Sequence, residues 1–338
     1  MAKRGQSGLS LVVGVDKPSG MTSHDVVSRC RRIFGEKRVG HTGTLDPLAS
    51  GVLPVCVGPA TRLDAYMTGH DKRYVVRVVF GAATDTDDCE GEVIREAPVP
   101  DEVFDPFFAE VFVSSLVGRQ KQLPPVYSAI KVDGVKACDA ARRGCIISLE
   151  PRDIEVHEAQ LIAVNGADGS EAPSWDVAFH VSAGTYIRAL ARDMGQGLGT
   201  CAHVGSLRRT SAGPVTLSEC VSLEALEELG ERAALDPVRL LGYRFVFSDD
   251  AIDRLVANGN PLPERLVTLC ERRSASAALE MCACTTGVRE SCEPPRDGEP
   301  VCVIAENKLV ALYAFDAASG RYKTRCVFQT GVSRGSCI

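Results

Sequence analysis

One carboxylate stands out in the segment Gly40–Pro54, GHTGTLDPLASGVLP. Gly40 and Gly43 precede Asp46, and Pro47 follows it directly. This spacing is typical of a helix start, with Asp46 as the N-cap and Pro47 as the first helical residue. Backbone donors and the helix dipole would favour the ionised form of such a carboxylate. An ionised carboxylate held in place can act as a nucleophile or as a general base.

The elements that must position this carboxylate are short strands interleaved with amphipathic helices. Runs of β-branched and aromatic residues predict strands or strand edges at Val12–Val15, Tyr74–Phe80, Val177–Val181 and Val215–Leu217. Apolar periodicity and capping residues predict helices at Ser23–Phe34, with Ser23 as N-cap, at Thr185–Met194, and at Ser222–Leu229. The interleaving predicts one large α/β or α+β catalytic domain.

The 338 residues are enough for about two domains, and a boundary is predicted near Asp236–Phe247. Beyond it, strands predicted at Val301–Ala305, Lys308–Phe315 and Tyr322–Phe328 indicate a small β domain. Residues 271–298 are rich in Ser, Ala, Cys, Glu and Pro and lack periodicity, so a disordered or loosely packed insertion is predicted there.

The fourteen cysteines form no regular framework in this long chain, which favours reduced thiols in a cytoplasmic protein. Leu9–Val15 is apolar but lacks a cleavage site, so it is interpreted as a buried strand rather than a signal peptide. No apolar run approaches the ~20 residues of a membrane helix. A zinc site is not predicted, because the one close pair in the insertion, Cys282 and Cys284, lacks C-x₂-C spacing.

Charge is unevenly distributed along the chain. The net charge is −6, but residues 1–40 carry eight Lys/Arg against three Asp/Glu, and residues 118–152 carry seven against three. Residues 84–110 carry one against ten. The basic segments could face nucleic-acid phosphates while the acidic one faces solvent; mixed solvated surfaces explain the charges equally well.

Six ordered motifs resemble a known family. GHTGTLDPLASGVLPVCVG is similar to the active-site motif of the bacterial tRNA pseudouridine-55 synthases, the TruB-type family. The other motifs are VDKPSGMTS from Val15, DKRY from Asp71, PVYSAIK from Pro125, SAGTYIR from Ser182 and AHVGSLRR from Ala202. The resemblance implies an α+β fold: a mixed, mostly antiparallel sheet flanked by helices, with a small PUA-like C-terminal β domain.

The family's reaction turns one uridine of the tRNA T-loop, at position 55, into pseudouridine. The bond from C1′ to N1 is broken, the base turns, and C1′ is rejoined to C5. No atom is gained or lost, so the resemblance implies no cofactor and no metal. Asp46 is implied as the catalytic carboxylate, acting either as nucleophile at C1′ or as base at C2′; the sequence leaves both routes open.

The resemblance also implies roles for six further residues. Arg188 would pair with Asp46, Tyr74 would stack on the flipped uracil and take part in proton transfer, and Tyr186 would contact the target base. Leu207 would be an apolar wall, His41 would help to hold the displaced nucleotide, and Lys17 would contact a phosphate or support the loop. Without the motifs, the Tyr and Leu residues would be assigned to the core and the others to the surface.

The implied domains are a catalytic domain at 8–243, with an RNA-gripping thumb-like segment at 120–152, and a PUA-like domain at 244–338. Cys138 stands where the family's thumb usually has an aromatic residue. The implied partner is the T stem-loop of tRNA, bound by a monomer without an obligatory protein partner. Two alternatives remain: an RNA-guided synthase of the archaeal and eukaryotic type, and an RNA-folding chaperone with little catalytic role.

Overall fold

Two β-sheets organise the chain in this computed structural model, which describes residues 7–132, 134–145, 147–272 and 288–335. The strands of the first part are β1 Leu11–Lys17, β2 Val39–His41, β3 Ser50–Val57, β4 Lys72–Phe80, β5 Ala82–Thr84, β6 Val93–Glu96, β7 Gly118–Gln122, β8 Lys131–Val132, β9 Val135–Lys136, β10 Arg152–Asn165, β11 Ser174–Val181, β12 Ala202–Ala212, β13 Val215–Thr216, β14 Cys220–Val221 and β15 Ala234–Leu235. Within the described residues, eleven of them form one sheet, and β5–β6 and β8–β9 form separate two-stranded ladders.

The large sheet has the order β14-β1-β3-β12-β4-β11-β10-β7, with β2, β13 and β15 paired beside this path. Its ladders are antiparallel except for β1 with β14 and β3 with β12. In β4 the side chains alternate between buried and more exposed positions, so Lys72 and Tyr74 share the inner face with Phe80. The mixed, mostly antiparallel sheet implied by the sequence is confirmed.

The helices lie at α1 Ser23–Ile33, α2 Asp64–Met67, α3 Pro106–Ser115, α4 Ala137–Ala141, α5 Ile187–Gly197, α6 Leu223–Leu229, α7 Pro237–Leu241 and α8 Asp250–Ala257. Short 3₁₀ helices occur at Gly58–Leu63, Asp101–Phe104, Leu217–Glu219, Gly230–Ala233 and Glu264–Leu266. The helix predicted at Ser23–Phe34 is present, but its N-cap is Thr22, which forms a capping box with Asp25. The prediction of Ser23 as the cap is therefore wrong. No helix in the described ranges is long and apolar enough to cross a bilayer.

The second sheet begins after α7. Its strands are β16 Arg244–Phe247, β17 Leu262–Pro263, β18 Cys270–Arg272, β19 Val288–Glu290, β20 Pro300–Ala305, β21 Lys308–Asp316 and β22 Arg321–Ser333, in the order β17-β22-β21-β20-β16-β18-β19. The strands predicted near β20, β21 and β22 are confirmed. Buried side chains from both sheets share one apolar cluster, which includes Val12 and Cys56 from the first sheet and Phe245 and Cys302 from the second.

The predicted irregular insertion differs from the structure at its ends. Cys270–Arg272 pairs with Val288–Glu290 as two antiparallel strands of the second sheet. Backbone hydrogen bonds therefore order both flanks, although their side chains show no apolar alternation that would signal strands. The centre of the insertion, including Cys282 and Cys284, lies outside the described residues.

Candidate active site

Asp46 lies in the loop that connects β2 to β3. The segment 42–49 contains no helix, and the amide of Ala49 donates to the carbonyl oxygen of Asp46 at 3.1 Å to form a turn. The predicted helix start at Asp46 and Pro47 is therefore wrong. Because β3 already begins at Ser50, the three intervening residues leave no room for a helix.

Side chains from β1 and α1 hold the loop from below. The Lys17 ammonium is fully buried and donates to the carbonyl oxygens of Met21 at 2.6 Å, Pro18 at 2.9 Å and Pro47 at 3.3 Å. The Ser23 hydroxyl bonds to both the amide and the carbonyl of Leu45, each at 2.9 Å. That hydroxyl is used for the loop, which explains why Thr22 caps α1 instead. The position of Lys17 supports the loop-holding alternative rather than phosphate contact.

Arg209 of β12 holds the loop from a second direction. Its guanidinium, also buried, donates to the carbonyl oxygens of Val52 at 2.7 Å, Gly43 at 3.0 Å and Thr44 at 3.4 Å. Gly51 allows the backbone of β12 to lie this close to β3, because a Cβ at Gly51 would lie 2.1 Å from the backbone carbonyl oxygen of Arg209. The φ of Gly51, 106°, also favours glycine. Arg209 was not among the site residues predicted from the sequence. Strand alternation from Leu207 was the signal, since residues two apart point to the same face.

Arg188, in the first turn of α5, pairs with Asp46 through both carboxylate oxygens. Its Nε lies 2.8 Å from Oδ2 and its Nη2 lies 3.2 Å from Oδ1. The same guanidinium donates to the carbonyl oxygens of Thr86 and Tyr127, at 2.9 Å each. The Arg188 side chain is 6% exposed, whereas that of Asp46 is 33% exposed. The arginine is therefore fixed on four oxygens, and the carboxylate keeps one side open.

The open side of Asp46 faces a cavity of about 300 Å³, a volume at the lower end of the range of small-ligand sites. Its wall contains the Asp46–Arg188 ion pair together with aromatic, apolar and glycine residues. The lining residues include Gly43, Asp46, Thr68, Lys72, Tyr74, Tyr127, Tyr186, Arg188, Leu207 and Arg209. The structure thus brings together five of the seven predicted site residues: Asp46, Tyr74, Tyr186, Arg188 and Leu207.

Strand and helix ends position the apolar and aromatic walls. Tyr74 of β4 and Leu207 of β12 lie on the inner face of neighbouring strands and are 8% and 7% exposed. Tyr186 is the N-cap residue of α5 and has no side-chain capping bond. Instead, Gln122 of β7 clamps its backbone, accepting from the Tyr186 amide at 2.9 Å and donating to its carbonyl at 3.0 Å. Burial raises the pKa of the Tyr186 phenol.

His41 ends β2 and is half-buried, two residues before Gly43. It does not line the cavity, nor does Lys17. Burial lowers the pKa of the His41 imidazole, so the neutral form is favoured. Its buried Nδ1 has no hydrogen-bond partner among the described residues. The predicted role of His41 toward a displaced nucleotide stays a prediction.

Side chains that could bind a metal ion are scattered in the part of the chain that the structure describes. Within those residues, no group of three or more His, Cys, Asp or Glu side chains is arranged to hold a metal ion. Cys270 is buried and Cys292 is exposed, and both are free thiols. The charged groups and phenols that line the described cavity are one carboxylate, three phenols and three cations.

Family models match two adjoining ranges of the chain. Residues 31–187 match the TruB family pseudouridylate synthase (N terminal domain), and residues 188–240 match the tRNA pseudouridylate synthase B C-terminal domain. The tRNA pseudouridine synthase B of Geobacillus kaustophilus (strain HTA426) is 38% identical over 79% of this chain and 95% of its own. The enzyme of the same name from Deinococcus radiodurans is 40% identical over 73% of this chain and 87% of its own.

Two solved structures show a similar fold. One is the "Structure of H/ACA RNP bound to a substrate RNA containing 2'-deoxyuridine", with a TM-score of 0.63, 22% identity, and coverage of 96% of this chain and 86% of that chain. The other is the "Crystal Structure of a Cbf5-Nop10-Gar1 Complex", with a TM-score of 0.62, 23% identity, and coverage of 97% and 87%. At these identities the similarity concerns the fold alone.

Proposed function

The chain belongs to the TruB family of pseudouridylate synthases, and from this premise we propose that it isomerises uridine to pseudouridine in tRNA, at position 55 of the T-loop. The observation that carries the proposal is the two-point ion pair between Arg188 and Asp46 at the wall of a nucleoside-sized cavity. Relatives at 38% and 40% identity bear the name tRNA pseudouridine synthase B. Position 55 comes from the motif resemblance.

Asp46 is the reacting carboxylate in this proposal. The Arg188 guanidinium occupies one side of the carboxylate and fixes its orientation through both oxygens. The exposed side of the carboxylate can then reach C1′ as a nucleophile or the C2′ hydrogen as a base. The loop contacts of Lys17 and Arg209 hold Asp46 in place while the base turns.

The target base must leave its stack before Asp46 can reach the sugar, which costs a few kcal/mol. Tyr74 and Leu207 supply aromatic and apolar walls for the everted base, and stacking on an aromatic ring returns roughly 1–3 kcal/mol. Tyr186 contacts the same base from the N-terminus of α5. The two hydrogen bonds from Gln122 fix the backbone of Tyr186, which lies two residues before Arg188 in the chain.

Basic residues of the thumb-like segment 120–152 support a grip on the RNA backbone. Lys131, Arg142 and Arg143 are exposed, and Lys121 is 72% exposed although it pairs with Asp153. Phosphate neutralisation by such residues is independent of base sequence. Cys138 is half-buried at the thumb helix α4. The second sheet, β16 to β22, is the PUA-like domain of the proposal, in contact with the tRNA outside the T-loop.

We further propose that the chain acts alone, as a cytoplasmic monomer without a guide RNA or protein partner. The runner-up function is RNA-guided pseudouridylation, as carried out by the archaeal and eukaryotic synthases. The two sequence relatives align with this chain over 95% and 87% of their own length, and both are named tRNA pseudouridine synthase B. This favours the first function. The purified chain on bare tRNA separates the two, because a guided enzyme would be inactive there.

The deciding experiment maps pseudouridine at each position of an unmodified tRNA transcript after treatment with purified protein. Wild type should modify the T-loop uridine, whereas Asp46→Asn should give no product but bind tRNA as tightly. Asp168→Asn, the same chemical change in the exposed loop between β10 and β11, should behave as wild type. Turnover by Asp46→Asn would remove Asp46 from the mechanism, and RNA annealing without any product would favour the chaperone alternative.

A further inference from the structure

A second buried cation, Lys72, lies on the wall of the same cavity as Asp46. Lys72 is the first residue of β4 and shares the inner face of this strand with Tyr74, two positions on. The residue is 8% exposed, although lysine is among the residues that proteins rarely bury unless paired. The burial of Lys72 at the cavity wall therefore needs a physical explanation.

The Lys72 ammonium has no carboxylate partner among the described residues. Its Nζ donates to the carbonyl oxygens of His70 at 2.5 Å and Thr68 at 2.7 Å. An ammonium group has three N–H donors, so one remains after these two bonds. Thr68 also lines the cavity, which places the bonded end of the lysine beside the open space.

Arg209 brings a further positive charge to this point. A Cβ on Gly43 would lie 3.7 Å from Arg209 Nη1 and 3.8 Å from Lys72 Cε, so both side chains lie beside Gly43 of the Asp46 loop. Burial, and then the charge of Arg209, lower the pKa of Lys72 to about 8, against a weaker opposing effect of Asp71. The cavity wall carries three cations, Lys72, Arg188 and Arg209, against the one carboxylate of Asp46. Such an excess of buried positive charge is unfavourable, and an anion that forms in the cavity would relieve it.

We propose that Lys72 is a further catalytic residue, whose remaining N–H donates to a carbonyl oxygen of the target base and stabilises the negative charge of the departing base. This inference rests on the proposed pseudouridine synthase function. It assigns Arg209 as the positioning residue that holds the Asp46 loop against Lys72 and adds to the positive potential.

The reaction itself produces an anion in the cavity. When the C1′–N1 bond breaks, its electron pair stays with the base, whose negative charge spreads from N1 onto O2 and O4. This holds whether Asp46 bonds to C1′ or removes the C2′ proton, so the role of Lys72 is independent of the route. The base then turns and C5 bonds to C1′. In the nucleophilic route the ester bond between Asp46 and C1′ breaks in this step, and in the other route C2′ regains its proton from Asp46. The C5 proton is then removed and N1 gains a proton. Fixed donors aimed at such developing charge provide large rate effects in sites that exclude water.

The alternative is that Lys72 only holds the chain at 68–70 in place. Single-turnover cleavage of the C1′–N1 bond, measured at saturating enzyme, tests the two. Lys72→Met should be about 10²- to 10³-fold slower, the usual loss for one such donor. Lys72→Arg keeps a charge and donors and should recover most of the rate. Arg73→Met is the matched control, because Arg73 pairs with Glu158 on the other face of β4 and should leave the rate unchanged.

A 5-fluorouridine at the target position distinguishes catalysis from scaffolding. Fluorine withdraws electrons and makes the base a better leaving group, so the departing anion needs less stabilisation. Lys72→Met should therefore lose less rate with 5-fluorouridine than with uridine. An equal loss with both substrates, or no recovery in Lys72→Arg, would overturn the inference. If wild type makes no pseudouridine, the proposed function itself fails, which is a different outcome from an active wild type with an active Lys72→Met.

Discussion

Replacing Arg188 tests the geometry on which the proposed chemistry depends. Arg188→Met removes a guanidinium that holds both Asp46 oxygens, at 2.8 and 3.2 Å. A hydrogen bond to a charged group contributes about 1.5–3 kcal/mol. Because the Asp46 side chain is 33% exposed, water can replace part of each bond, so the lower figure applies. Two bonds then give about 3 kcal/mol, which is roughly 150-fold in rate.

Arg188→Lys retains the charge but not the planar fork. A lysine ammonium cannot reach both carboxylate oxygens and the two carbonyls of Thr86 and Tyr127 with the same geometry. One lost bond to Asp46, about 1.5 kcal/mol, predicts a decrease of roughly 10-fold. The order of rates should therefore be wild type, then Arg188→Lys, then Arg188→Met.

The assay is single-turnover pseudouridine formation at saturating enzyme, with tRNA affinity measured separately. Both variants should bind tRNA like wild type, because the Arg188 side chain is only 6% exposed and its hydrogen bonds are to the protein. Arg188→Met leaves the carbonyl oxygens of Thr86 and Tyr127 without their Arg188 donor. Thermal unfolding is therefore measured to confirm that each variant is folded. Arg188→Met within threefold of the wild-type rate would refute the idea that this ion pair orients the reacting carboxylate.

Two further predictions concern the base wall and the buried lysines. Tyr74→Phe keeps the ring that lines the cavity but loses the hydroxyl, so it should bind tRNA and fail in rearrangement; nucleoside chromatography checks this, and wild-type turnover would remove the hydroxyl from the mechanism. Burial lowers the pKa of both Lys17 and Lys72 from 10.5 to about 8. The rate should therefore fall above about pH 8, as the loop and cavity lose these ammonium groups. Between about pH 8 and 10.5 the unfolded chain binds more protons than the folded one, so the contribution of these lysines to stability should rise while activity falls. A rate that stays constant across this interval would contradict the assignment, and denaturant unfolding at each pH checks the stability.

Local pattern was sufficient for most strands and helices. The alternation in β4 and the apolar runs of β11, β20 and β21 follow from residue types along one segment, since each strand has a period of two. Local pattern predicted the wrong N-cap of α1, because a contact with a distant segment uses one of the two candidate side chains. Thr22 and Ser23 are both good N-caps, and the bond from Ser23 to Leu45 decides between them.

The sequence by itself determined the family, through six ordered motifs, and with it the prediction that Asp46 is the catalytic carboxylate and Arg188 its partner. Only the tertiary structure decided that Asp46 lies in a turn and that Gln122 holds Tyr186. It also decided that Arg209 and Lys72, which have no carboxylate partner among the described residues, both line the cavity. The reason is physical: Asp46 and Arg188 are 142 residues apart, and the order of strands in the sheet brings them together. That order depends on burial summed over the whole chain, which no single segment encodes.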